Sequence, residues 1–196
     1  MMSWFDSHFG LLALIIIVVL VLIIIYYSME MRNQARYARK TLDMEVRMIK
    51  NTGMNYSYLL STEFNYNQNI LASYINDKVK FEDTAVVFYN FNNFQNLKLE
   101  IWDEIKTEVP KYFSATLMYD LVEYYSKVED LAVNSHFNND QRSEMVVEIF
   151  KSMYTCINLM ESEFKIEIKK RETLHLDECT IKVNTKTGEI AVSEKS

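Results

Sequence analysis

From Phe9 to Tyr27 the sequence reads FGLLALIIIVVLVLIIIYY, 19 residues with no charge and no amide, and with hydroxyls only on the two closing tyrosines. About 20 apolar residues at about 1.5 Å each cross the roughly 30 Å hydrocarbon core of a bilayer. A core helix of a water-soluble domain carries a polar face, and this run has none. It therefore predicts one transmembrane helix over residues 9–27, with Phe9, Leu14, Ile17, Leu20, Ile24 and Tyr27 spaced along it. The preceding residues, MMSWFDSHF, contain no Lys or Arg, and no small-residue cleavage site follows, so the run reads as a retained anchor and not a secretory signal. Arg32, Arg36, Arg39 and Lys40 follow it closely, whereas the N-terminal side offers only Asp6. The positive-inside bias then predicts a single pass through the cell's inner membrane, with residues 1–8 outside and the body cytoplasmic.

The remaining chain has length for one further domain with its own core. Its net charge divides unevenly. Residues 28–50 hold six basic and three acidic side chains, 51–164 hold eight and seventeen, and 165–196 hold seven and six. A basic collar beside the membrane suits anionic headgroups, and the acidic body is poorly suited to unspecific nucleic-acid binding, which needs clustered cations, so no DNA partner is expected. Cys156 and Cys179 are the only cysteines and form no Cys-x-x-Cys pair, a pattern that predicts free thiols in a reducing compartment.

Three glycines and one proline leave few breakers, so long helices are expected. Ala35, Ala38, Leu42, Val46 and Ile49 recur every three or four residues, which predicts a basic, coiled-coil-like stalk helix over 28–50. Three apolar stripes follow in a cytosolic helical domain over 51–175. They are Leu60, Phe64, Leu71 and Ile75; then Val87, Phe91, Phe94, Leu97, Ile101 and Ile105; then Phe113, Leu117, Leu121, Tyr124, Val128 and Leu131. Pro110 is placed to open the third, where a missing N–H is harmless. Asn138 to Asp140 supply a turn and an N-cap for a last helix, whose stripe runs from Val146 through Phe164 to Ile168 and whose basic end is Lys169 to Arg171. Within 176–196 the period drops to two, and Thr180 to Val183 and Glu189 to Val192 flank Asn-Thr-Lys-Thr-Gly as a predicted β-hairpin. The fold class expected is thus all-α: a transmembrane helix continuing into a cytosolic helical bundle, with a small C-terminal β-hairpin.

The sequence contains no phosphate-binding glycine loop, no His-Glu-x-x-His and no Gly-x-Ser-x-Gly, so no cofactor is expected. With three histidines (His8, His136, His175) a multi-histidine metal centre is not expected either. Asp103 with Glu104 and Asp177 with Glu178 read as solvated surface, because neighbours on a helix point about 100° apart. One local pair stands out: Arg171-Glu-Thr-Leu-His175, placed one turn apart at the end of the last helix. It resembles the Arg-x(4 to 6)-His signature of HEPN domains, with three intervening residues here. That resemblance implies an RNase site in which His175 is general acid or base and Arg171 steadies the phosphate.

Anchor, basic collar, helical body and degenerate Arg/His pair together resemble the small membrane accessory proteins of type VI-B CRISPR loci, the variety with a divergent HEPN-like motif. The resemblance implies a homo-oligomeric membrane pore that strengthens antiviral defence by an RNA-guided RNase complex through depolarisation, and no enzyme. Asn33, Gln34 and Arg36 are then the candidate polar residues at the pore mouth. Two other readings stay open on the residues themselves: a membrane-tethered scaffold or adaptor of a prophage or mobile element, and an anchored HEPN-type RNase.

Overall fold

The computed structural model describes residues 2–82, 85–88, 94, 96–133 and 137–194. The chain divides into two compact units, Met1–Met48 and Ile49–Ser196, and one helix, α1 (Met2–Lys78), contributes to both.

In the first unit α1 carries the apolar run. Ile15, Ile16, Ile17, Val18 and Val19 are β-branched and would favour a strand in water. A helix is the form that satisfies every backbone group within one segment, as a hydrocarbon surrounding demands. From Leu14 to Met48 each side chain is exposed.

The second unit begins where α1 starts to bury one face. Ser57, Leu60, Phe64, Gln68, Leu71 and Ile75 are buried, at the spacing of three and four that the apolar stripe predicts. Gly53 does not interrupt the helix. A Cβ there would meet Phe164 Cε1 at 2.3 Å, so glycine serves the close approach of that ring. The helix therefore continues through Gly53 to Lys78 instead of ending near Lys50.

A two-stranded antiparallel ribbon follows, β1 (Val79–Glu82) and β2 (Ala85–Phe88). Next come a short helix α2 (Glu100–Ile105) and a 3-10 turn (Val109–Lys111) that holds Pro110. The stripe from Val87 to Ile105 was expected to be one helix. Instead Val87 lies in β2, Phe91 falls outside the described residues, and only Ile101 and Ile105 are helical. Pro110 stands in the 3-10 turn ahead of α3 (Ala115–Val133), whose stripe Leu117, Leu121, Tyr124, Val128 and Leu131 is fully buried.

Helix α4 (Asn139–Phe164) packs against α3. Its start is a capping box: the Gln141 N–H donates to Asn138 Oδ1 at 2.9 Å, and the Asn138 N–H donates to Gln141 Oε1 at 3.1 Å. Its end differs from the sequence expectation, which carried the helix on to Lys169, Lys170 and Arg171. Lys165 adopts φ 59°, the left-handed conformation that closes a helix, and the chain beyond is not helical. Phe164, Ile166 and Ile168 alternate as well as recur, so a period of two was present where a period near four was read.

A third strand also emerges. β3 (Thr173–His175), β4 (Cys179–Val183) and β5 (Ile190–Glu194) form an antiparallel sheet in that order. Leu174, Cys179, Ile181 and Val183 face inward and are buried, so the hairpin gains the hydrophobic backing that two strands alone lack. The body core is rich in aromatic contacts: Phe64 meets Tyr124 edge-on at 4.7 Å, and Trp102 stacks on Tyr125 at 4.7 Å. Each such pair contributes about 0.5–1.5 kcal/mol beyond area burial. The fold is thus mostly helical with a small C-terminal sheet.

Candidate functional site

Among the described residues one helix is long and apolar enough to cross a membrane, and no residue of its apolar 18-residue window is buried. Ile17 and Leu20 are 60 % and 52 % exposed, and Leu14, Ile24 and Tyr27 are exposed with them. The side chain of Phe9 falls outside the described residues. A continuous apolar surface of this extent is rare on a protein facing only water.

Beyond the run, Arg32, Arg36, Arg39 and Lys40 fall within an arc of about 100° at 100° per residue. Ala35, Ala38, Leu42 and Val46 occupy a neighbouring arc of about 80°. The stalk thus presents a cationic stripe and an apolar stripe side by side, both exposed. Asn33 and Arg36 are three residues apart and lie about 60° from each other around the helix, on one face, whereas Gln34 is turned about 100° from Asn33 and about 160° from Arg36. Gln34 Nε2 turns back to Glu30 Oε1 at 3.3 Å. Asn33 and Arg36 can thus face a common axis together, and Gln34 cannot do so with them.

Arg171 and His175 are not a turn apart on a helix. Arg171 lies in irregular chain and His175 at the end of β3, with a bend at Glu172 between them. Arg171 Nη1 donates to Asn69 Oδ1 at 2.6 Å, and the Arg171 carbonyl accepts from the Tyr154 hydroxyl at 2.8 Å. His175 is exposed and pairs in register with Thr180. Arg171 is thus engaged by α1 while His175 belongs to the C-terminal sheet, so the pair is not presented from one helix face. His136 falls outside the described residues, and His8 does so with its side chain. Among the described residues no three of His, Cys, Asp or Glu converge as a metal would require. Cys156 and Cys179 are free and buried, and burial pushes both thiols up, away from the reactive thiolate.

A polar seam on α1 was missed by reading apolar periodicity. Ser57, Ser61, Glu63, Asn67 and Gln68 are all buried. Asn67 clamps the Lys98 peptide: its Nδ2 donates to the carbonyl at 2.9 Å, and its Oδ1 accepts from the N–H at 2.8 Å. Gln68 Nε2 donates to the Tyr154 hydroxyl at 2.8 Å, which links it onward to the Arg171 carbonyl. Glu63 Oε2 accepts from the Ile101 N–H at 2.8 Å and Oε1 from the Tyr125 hydroxyl at 2.7 Å. Leu99, the N-cap of α2, offers no side-chain bond, so Glu63 caps that helix from across the fold. A signal existed: the stripe Leu60, Phe64, Leu71, Ile75 skips one turn, and the skipped turn is Asn67-Gln68.

Burial raises the Glu63 carboxyl above the ordinary glutamate range, outweighing the hydrogen bonds from Tyr125 and Ile101 that favour the anion. The folded protein therefore binds this proton more tightly than the unfolded chain does. Its stabilising contribution is complete below the ordinary glutamate range and is lost as pH rises through the raised value. Denaturant unfolding followed by tryptophan fluorescence should show stability falling across that window. Glu63→Gln keeps an acceptor for Ile101 and should lack the fall; an unchanged pH profile in the variant would assign it to another group.

No protein-family model matches the sequence, and no curated protein and no solved structure matches it either.

Proposed function

We propose that this chain is a single-pass inner-membrane protein, N-terminus outside and body in the cytoplasm, that assembles with copies of itself into a membrane pore. In this reading it acts as an antiviral defence accessory of an RNA-guided RNase, in keeping with its resemblance to type VI-B CRISPR accessory proteins. Its body is then a degenerate HEPN-like bundle and not an enzyme. The observation that carries the proposal is the exposed apolar stripe that directly follows the exposed span. Leu42 and Val46 are 59 % and 57 % exposed on a helix already committed to a bilayer. Coiling with identical neighbours covers such a stripe at little entropic cost, because the anchors confine all copies to one plane. The span offers no Ser, Thr, Asn or charge between Phe9 and Tyr27, so a conduit lined by it conducts only when wide enough to wet, and gates by dewetting.

The detergent-solubilised protein should run as a particle of several subunits and release dye from liposomes. Leu42→Glu with Val46→Glu should reduce the particle to smaller species and abolish release, because like charges would replace the apolar seam. A strictly monomeric wild-type particle overturns the pore. That outcome would leave the tethered adaptor, which the exposed Tyr119, Val122 and Val133 of α3 favour as a docking surface for a protein partner.

A further inference from the structure

The C-terminal sheet ends on an uncovered edge. In the order β3-β4-β5, β5 has a partner on one side only among the described residues. The hydrogen bonds of β4 set the direction of the free groups on β5. The Asn184 N–H donates to the Glu189 carbonyl at 2.9 Å, and on the opposite edge of β4 the Val183 N–H donates to the Glu172 carbonyl at 2.8 Å. Alternation along an antiparallel ladder then turns the N–H and C=O of Ala191 and Ser193 toward β4. Those of Ile190, Val192 and Glu194 turn outward.

Beside this edge an open groove of about 590 Å³ separates β5 from α4. Val147, Val183 and Ile190 give it an apolar floor. Lys151 borders it on α4 and Lys182 on β4, and no carboxylate pairs with either among the described residues. Glu189 also lines the groove and accepts from the Thr187 hydroxyl of the turn at 3.2 Å, so two ammonium groups face one carboxylate and the lining keeps a net positive charge. Lys182 is exposed on the outer face of the sheet and stands in register with Ala191, whose methyl group does not screen it from the edge.

We propose that this groove binds an extended peptide that adds to β5 as a fourth strand and alternates apolar with acidic residues. The free N–H and C=O groups of Ile190 and Val192 supply backbone hydrogen bonds to any extended chain. Side-chain alternation supplies the selectivity. Peptide residues opposite Ile190 and Val192 point toward α4 and rest on Val147, where apolar groups fit. The residue opposite Ala191 points to the outer face, within reach of the Lys182 ammonium, while Lys151 meets an acidic group at the α4 rim. A basic peptide would set its charges against both lysines.

The test selects linear random decapeptides displayed on phage against the full-length protein in detergent, then measures affinity for the enriched sequences as fluorescent synthetic peptides. Alternating apolar and acidic sequences should emerge, and their binding should slow hydrogen exchange at the Ile190 and Val192 amides while leaving Ala191 and Ser193 unchanged. Lys151→Glu with Lys182→Glu should weaken binding at least tenfold. Val192→Pro removes an N–H that β4 does not use and should weaken it similarly. Enrichment of sequences without this alternation, or binding that leaves the β5 amides exchanging freely, overturns the proposal. So does concentration-dependent protection of those amides without peptide, which would assign the edge to a second copy of this chain. None of these readouts depends on conductance, so they stand or fall apart from the pore.

Discussion

Ile17→Arg is expected to move the protein out of the membrane fraction. Ile17 lies near the middle of the apolar run, and an arginine at the centre of a spanning helix costs about 2.5–3.5 kcal/mol on insertion scales, roughly a hundredfold in partition. The span has nothing to offset that cost: no counter-charge, no polar side chain before the two closing tyrosines, and, among the described residues of the unit Met1–Met48, no buried neighbour. Snorkelling recovers part of it near helix ends and least at the middle. Cell fractionation with an alkaline carbonate wash reads the result. Wild type and Ile17→Leu should stay in the pellet, and Ile17→Arg should appear in the soluble or aggregated fraction. An arginine variant that resists carbonate as the wild type does would show that residues 9–27 are not the anchor.

Gly188→Val is expected to lose about 4 kcal/mol of folding stability, from left-handed strain and overpacking together. Gly188 has φ 71°, where a β-branched residue is strained, and a Cβ would lie 2.5 Å from Lys151 Cα and 2.7 Å from the Phe150 carbonyl oxygen. Those neighbours are backbone within α4 and cannot swing aside. The loss is a large fraction of the roughly 5–15 kcal/mol that holds a typical domain together. Gly53→Ala makes the useful contrast. Its close neighbour is the outer part of the Phe164 ring, a side chain that can rotate, so its cost should be smaller than that of Gly188→Val. Chemical unfolding of the two variants orders them, and hydrogen exchange should show β4 and β5 opening first in Gly188→Val. A valine variant within 1 kcal/mol of wild type would mean that the hairpin turn does not press on α4.

The stretches that were legible in the sequence are those where one period dominated. Leu117, Leu121, Tyr124, Val128 and Leu131 recur with helical spacing and nothing else, and all five are buried. Asn138 is a cap by residue type, and the hairpin around Gly188 announces itself by alternation on either side of a turn that ends in glycine. Reading failed where two periods coexist. Phe164, Ile166 and Ile168 satisfy both helix and strand, and the left-handed Lys165 decides between them. That single conformation ends the helix before Arg171 and His175, so the pair is not held within one helical turn.

What the chain alone determined is the apolar run, its uniformity, and the basic residues that follow it, because partition between water and hydrocarbon depends on composition over about 20 residues and little on context. The tertiary structure alone decided which polar residues are buried and which strand has a free edge. Glu63 and Asn67 look like surface residues until Ile101, Lys98 and Tyr125 are brought against them, and β5 is an ordinary hairpin strand until β3 takes the other side of β4. Both depend on contacts between residues far apart in sequence, such as Asn67 with Lys98 and Glu63 with Tyr125, and no local pattern encodes those partners.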